Sequence, residues 1–286
     1  MIISGASMKK FSTYTLAMAL GLAGAAHAAP VVSNLSVGTA MASALAGSGV
    51  TISNAVFSTY SAESLIPFEE VLDSTPSTTA AGSFTGGTST VGFDSGLVLT
   101  TGTTNCVGGA SVSDCSGEGT TTSSLKFDFS STSGKIFFKY VFASEEYPEF
   151  VNTNFNDVFE LRLNGANRAF VPGGTSQEVS INNVNCGNNA SFFRNNTEGA
   201  GCTNQGLDIQ YGGLTTVLTF SADLLAGVNT FEFIVSDRTD DKYDSAVFIQ
   251  AGSFSGNGTE NNVPEPGSLA LVGAALLGLV ARRRLV

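Results

Sequence analysis

Tryptophan is absent, histidine occurs once, and charged residues make up only 13% of the 286-residue chain. Each shortage removes a class of function. The one histidine, His27, lies in a segment read below as a removable leader. Without it the mature chain has no Ser–His–Asp or Cys–His catalysis and no His-ligated zinc. Paired-carboxylate glycoside hydrolysis survives that test, with Glu145, Glu146 and Glu149 as its carriers. Sugar-cleaving clefts usually stack sugars on aromatic faces, however, and the largest such face is missing. The expectation is therefore a non-enzyme. Basic residues are also scarce, and the net charge is −11. Setting aside both ends removes five basic residues and one acidic residue. The body then holds 8 basic against 23 acidic residues, a net charge near −15. Such a surface does not bind nucleic acid. It suits divalent cations, or coexistence with a polyanionic matrix.

Both ends carry export features. Lys9 and Lys10 form a positive start, Phe11 to Ala25 an apolar run, and Ala26-His27-Ala28 a small-x-small site. These are the parts of a signal peptide, with signal peptidase cutting after Ala28. Translation from Met8 would suit the same leader. At the other end, Val263-Pro264-Glu265-Pro266 precedes an apolar and small-residue run from Gly267 to Ala281, followed by Arg282, Arg283 and Arg284. Fifteen helical residues rise about 22 Å, short of a hydrocarbon core of about 30 Å. A short span suits a temporary anchor. The arginines stay cytoplasmic, which places the body outside. This three-part tail resembles the PEP-CTERM sorting signal of Gram-negative bacteria. The resemblance implies recognition by an exosortase, removal of the tail, and export in cells that make exopolysaccharide.

The four cysteines, Cys106, Cys115, Cys186 and Cys202, form an even set in an oxidising compartment. Three pairings are open. The local ones, Cys106–Cys115 and Cys186–Cys202, each close a polar loop that lacks other support, and each contributes roughly 2.5–3 kcal/mol by loop-closure entropy. The spacings do not suit zinc.

Between the ends, β-branched and aromatic residues alternate with Gly and Asn punctuation. Leu35 to Leu45 reads as one short helix. Strands are expected at Val50–Phe57, Gly96–Thr101, Leu125–Phe129, Ile136–Phe142, Val158–Leu163, Leu214–Phe220, Val228–Val235 and Ala246–Phe254. Ile136 to Phe142 is almost continuously apolar, so it is placed centrally. Asn164-Gly165 signals a hairpin whose return strand starts at Phe170-Val171. The segments 102–122 and 182–206 read as long polar loops. About ten strands imply an all-β, antiparallel two-sheet sandwich of jelly-roll type, with a C-terminal sorting or transmembrane helix. A closed barrel is the alternative. Internal repeats are lacking, which argues against a β-helix. The domain scheme is signal peptide 1–28, sandwich 29–255, linker 256–263 and sorting signal 264–286.

Two acidic stretches lie between confident strands. Glu145, Glu146, Asn156 and Asp157 belong to the first, and Asp237, Asp241 and Asp244 to the second. Loops at one end of a sandwich would bring them together. Several hard oxygen donors are what Ca²⁺ needs, six to eight of them, so Ca²⁺ is the expected cofactor. Solvated turns are the alternative. The spacing is not that of an EF-hand. The segments 142–149, Phe155-Asn156-Asp157-Val158-Phe159, Tyr243-Asp244-Ser245-Ala246-Val247-Phe248, 96–102 and 45–50 resemble the choice-of-anchor L domain over about residues 35–255. That family's members carry differing surface anchors, and the resemblance implies an exported domain without assigned catalytic residues. The functional expectation is a Ca²⁺-stabilised protein of the cell envelope or extracellular matrix, associated with exopolysaccharide, adhesion or biofilm. A carbohydrate-binding module for a defined glycan and a glycoside hydrolase or lyase are the alternatives.

Intact-mass analysis of the exported protein should show loss of residues 1–28 and of the tail beyond about residue 264. Recovery of residues 267–286 on extracellular protein would refute processing and leave a plain membrane anchor.

Overall fold

A computed structural model describes residues 28–65, 68–73, 75–108, 120–174, 176–239 and 241–258. The elements run β1 (Val31–Asn34), α1 (Gly38–Leu45), β2 (Val50–Leu65), β3 (Phe68–Leu72), β4 (Ala81–Thr85), β5 (Gly96–Thr100), β6 (Thr120–Ser131), β7 (Lys135–Ser144), β8 (Val158–Leu163), β9 (Ala166–Asn167), β10 (Phe193–Asn195), β11 (Gly213–Thr215), β12 (Leu218–Asp223), β13 (Asn229–Ser236) and β14 (Ser245–Gln250). They form two antiparallel sheets. One has the order β1-β4-β5-β14-β7-β11-β10, with β12 also paired to β7. The other has the order β3-β2-β6-β13-β8-β9. The all-β two-sheet fold is as expected. The strand orders do not establish a jelly roll. Among the described residues no helix is long and apolar enough to cross a membrane, and the tail read as a sorting helix lies outside them.

The space between the sheets is filled mainly by phenylalanine. Phe127 and Phe129 of β6, Phe138 of β7, Phe231 and Phe233 of β13, and Phe254 are all essentially inaccessible. Their ring centroids lie 4.8–6.4 Å apart, many edge to face. That geometry sets the positive ring edge against the negative ring face. Phe231 alone touches the other five and Phe220, at 4.8–6.2 Å. Helix α1 lays Met41, Ala42 and Leu45 on this core.

A second apolar layer covers the outer face of the first sheet. Val98, Val141, Ala143, Ala246 and Phe248 pack there under Val91, Phe93, Val107, Leu207, Ile209 and Tyr211. Strands β5, β7 and β14 are therefore buried on both faces, which explains why their sequences read as apolar runs rather than alternations.

Several boundaries differ from the sequence reading. The run 214–220 is two strands, β11 and β12, both laid along β7. The hairpin turn at Asn164 and Gly165 has left-handed φ values of 50° and 83°, as Asn-Gly turns require. Its return strand is only β9, and it comes before Phe170. The Asn167 side-chain carbonyl accepts from the N–H of Leu161 at 3.1 Å and of Ala169 at 3.0 Å. A side chain thus takes the place of a ladder bond, and Phe170 keeps a single bridge, to Glu178. Strands β1, β3, β4 and β10 were not expected at all, and β10, paired to β11, lies inside the segment 182–206 that reads as a polar loop.

Cys186 and Cys202 are joined, with Cα atoms 5.7 Å apart. The expected partner of Cys106, Cys115, lies outside the described residues. Gly256, read as linker, is still tied to the domain: its N–H donates to the Ser48 carbonyl at 2.9 Å.

Phe231→Ala should cost about 3–5 kcal/mol by emptying the meeting point of the ring cluster. Urea unfolding reads this directly. A loss under 1 kcal/mol would mean that the core refills the space.

Candidate functional site

Strand β7 ends at Ser144, and the chain turns at once through Glu145 and Glu146. Strand β14 starts beside it, with Ser245 opposite Ser144, and the Glu145 N–H donates to the Asp244 carbonyl at 3.0 Å. Strand β13 ends at Ser236 opposite Val158, the first residue of β8. Asp237 and Asp157 follow and precede those strand ends. Four chain segments therefore deliver Glu145, Glu146, Asp157, Asp237 and Asp244 to one end of the sandwich.

All five carboxylates are buried: 5%, 1%, 0%, 2% and 2% exposed, respectively. Asp157 is anchored. Its Oδ1 accepts the Arg238 N–H at 2.9 Å, and its Oδ2 accepts the Ser245 hydroxyl at 2.8 Å. Asp237 is buried with neither carboxylate oxygen hydrogen-bonded. The Thr101 hydroxyl lies close, but it accepts the Ser245 N–H at 2.9 Å and is turned toward the Ser245 carbonyl. Burial, reinforced by the Asp157 charge, holds the Asp237 carboxyl well above the usual carboxylate range. No described lysine or arginine is buried, so none is enclosed with the cluster.

Two tyrosines complete the surroundings. Tyr147 donates to the Val184 carbonyl at 2.6 Å. Burial pushes its phenol up, and the charges of Glu146 and Asp157 add to that. Tyr211 is fully buried, and its hydroxyl makes no hydrogen bond. Burial raises its phenol, and Asp244, Glu145 and Asp237 raise it further. The nearby Thr100 hydroxyl is already committed, donating to the Ser245 carbonyl at 3.0 Å and accepting from the Gly102 N–H at 3.2 Å. Gly102 itself lies flat against Asp244.

Of the seven residues expected to ligate a metal, the structure brings these five together. Asn156 is half-buried, with its side-chain oxygen accepting the Asn182 N–H at 3.0 Å. Asp241 is half-buried, and no described contact joins it to the cluster. Tyr211, Thr101 and Gly102 were missed. The signal for Thr101 and Gly102 was the Thr100-Thr101-Gly102 end of an apolar strand, which reads as a turn, and Tyr211 had none. Among the described residues no three Asp, Glu, His or Cys side chains already stand as a coordination shell.

A groove of about 550 Å³ lies elsewhere, between β12 and the segment 168–174. Tyr140, Arg168, Phe170 and Phe220 line it. Arg168 is exposed and makes no ion pair among the described residues.

Two family models match the chain. One, described as the choice-of-anchor L domain, covers residues 32–255, and the other, the PEP-CTERM protein-sorting motif, covers residues 262–284. No curated protein and no solved structure matches it.

A β-carbon on Gly102 would sit 1.5 Å from Asp244 Oδ2. Gly102→Ala should therefore cost about 1–3 kcal/mol, a melting shift of several degrees. Gly174→Ala, whose β-carbon meets nothing closer than 3.4 Å, is the control. Equal melting temperatures for the two variants would show that the Asp244 carboxylate moves freely.

Proposed function

The chain belongs to the choice-of-anchor L family, and on that premise we propose that it is a non-enzymatic domain of the cell envelope or extracellular matrix. It works in contact with exopolysaccharide, in adhesion or biofilm structure. The observation that carries this reading is the sorting motif at residues 262–284. That motif is the substrate signal for an exosortase, and it marks an exported protein of a Gram-negative bacterium.

Burial supports the non-enzymatic part. A glycosidase needs two carboxyl groups within reach of a sugar. Glu145 and Glu146 are 5% and 1% exposed, and a polymer chain cannot approach them. Glu149 is exposed but apart from the buried set. A net charge near −15 on the body keeps it soluble among acidic polymers.

The groove favours a second reading, a carbohydrate-binding module. Its volume is in the usual range for ligand sites. Phe170 offers ring surface, and Arg168, exposed and without an ion pair among the described residues, offers a fork of donors for a sugar carboxylate.

Co-sedimentation of the exported protein with exopolysaccharide from the producing cells separates the two. The expected result is sedimentation that survives Arg168→Ala. A loss of about tenfold in that variant, the size of one charged hydrogen bond, would move the function into the groove. No sedimentation with either protein would refute polymer association.

A further inference from the structure

We infer that the carboxylate cluster at the end of β7 is a divalent-cation site of the Ca²⁺ class, centred on Asp237, Asp244 and Glu145, with Asp157 and Glu146 around them. The inference stands apart from the polymer reading, because it concerns what holds this end of the domain together.

The cost of the arrangement without a cation carries the argument. Isolated buried carboxylates cost several kcal/mol each unless paired, hydrogen-bonded or neutralised. Here five are sealed together, and no described lysine or arginine is sealed with them. Hydrogen bonds account for Asp157, whose two oxygens both accept. They do not account for Asp237, which is 2% exposed: neither of its oxygens has a well-formed hydrogen bond, and the Asp157 carboxyl beside it already accepts at both oxygens from other donors.

Tyr211 is an independent sign. Its hydroxyl is a donor, completely buried, and it feels the charges of Asp244, Glu145 and Asp237, yet it bonds to none of them. A phenol set among carboxylates normally donates to one. A buried phenol beside three carboxylates, bonded to none of them, suits coordination to a shared cation or to its bound water.

The donors select the ion. All are oxygens, so zinc and the softer metals are disfavoured. Ca²⁺ takes six to eight oxygens in flexible geometry, whereas Mg²⁺ demands a near-ideal octahedron and gives up water reluctantly. A sealed cluster drawn from four chain segments fits the former. The side chains must draw inward by rotation to close the shell, since no three stand ready as they are. One divalent ion offsets two of the five carboxylate charges, and two ions offset four.

The exported protein is melted in chelator, in Ca²⁺ and in Mg²⁺, and Tb³⁺ emission excited through tyrosine is titrated with Ca²⁺. Ca²⁺ at a hundredfold excess over its Kd should raise the melting temperature by about 5–10 °C, and Mg²⁺ by less. Tb³⁺ should bind at one or two per chain and be displaced by Ca²⁺. Asp237→Asn keeps the shape and removes the charge. In chelator it should melt no lower than the parent, and it should lose the Ca²⁺ increment. Glu145→Gln should weaken that increment as a second variant. The inference is overturned if chelator leaves the melting curve unchanged and no ion binds up to millimolar concentration. It is equally overturned if Asp237→Asn keeps the full Ca²⁺ increment, because the ion then sits elsewhere. Neither result bears on export or polymer association, which are read separately.

Discussion

Strand β7 is the constraint on which the rest of the structure depends. It pairs with β14 on one side and with β11 and β12 on the other, so its whole length is hydrogen-bonded within the sheet. Its inward face sends Phe138, Tyr140 and Phe142 into the space between the sheets. Its outward face sends Val141 and Ala143 under the covering loops. A strand fixed on both edges and both faces has little freedom in register, because a one-residue slip would exchange its two faces. The position of Glu145 and Glu146 follows from that register. They are the first residues after the strand, and the pairing of Ser144 with Ser245 sets Asp244 beside them. The acidic site is thus a product of sheet registration rather than of one loop's own conformation.

The core shows how the chain manages without tryptophan. Phenylalanine has no polar atom to satisfy, so rings from both sheets and from Phe254 meet with no hydrogen-bond debt. The polar burden sits at the end of the sandwich instead. Thr100, Thr101, Ser123 and Ser245, all buried, spend their hydroxyls on one another's backbone or on Asp157. This lattice holds the carboxylates in place. It does not reach both oxygens of Asp237 or the Tyr211 hydroxyl, which are buried beside it without a hydrogen bond among the described residues.

What could be read from sequence followed the strength of local signals. Val158–Leu163 alternates cleanly and ends in Asn-Gly, and both strand and turn stand where they were expected. Strand β13 was found to within one residue, whereas β6 and β7 were drawn too short, because buried serines and threonines such as Ser123 and Ser124 extend β6 without an apolar signature. Strands β1 and β4 escaped because Val31–Asn34 and Ala81–Thr85 span only four and five residues, too few to show a period, and their pairing is to each other and to β5. The convergence of the two acidic stretches was readable because each lies between confident strands. The separation of Asp241 and Asn156 from the buried five was not. It depends on which side chains face inward at a turn, and a loop without periodicity carries no such signal. The Phe170 return strand failed for a related reason: the Asn167 side chain replaced a backbone partner, and propensity is blind to that substitution.

The geometry also separates the two ends of the domain. Phe137, near the start of β7, is bridged to Ser255 by hydrogen bonds of 2.9 Å in both directions, and Gly256 is held by Ser48. The chain therefore leaves the folded body beside the start of β7. The carboxylate cluster lies beyond the other end of the same strand. Ten residues at about 3.3 Å each put roughly 30 Å between them. The described body thus ends at the side of the sandwich opposite the carboxylates, and the packing of Ser255 and Gly256 does not bear on the geometry of Asp237 or Asp244.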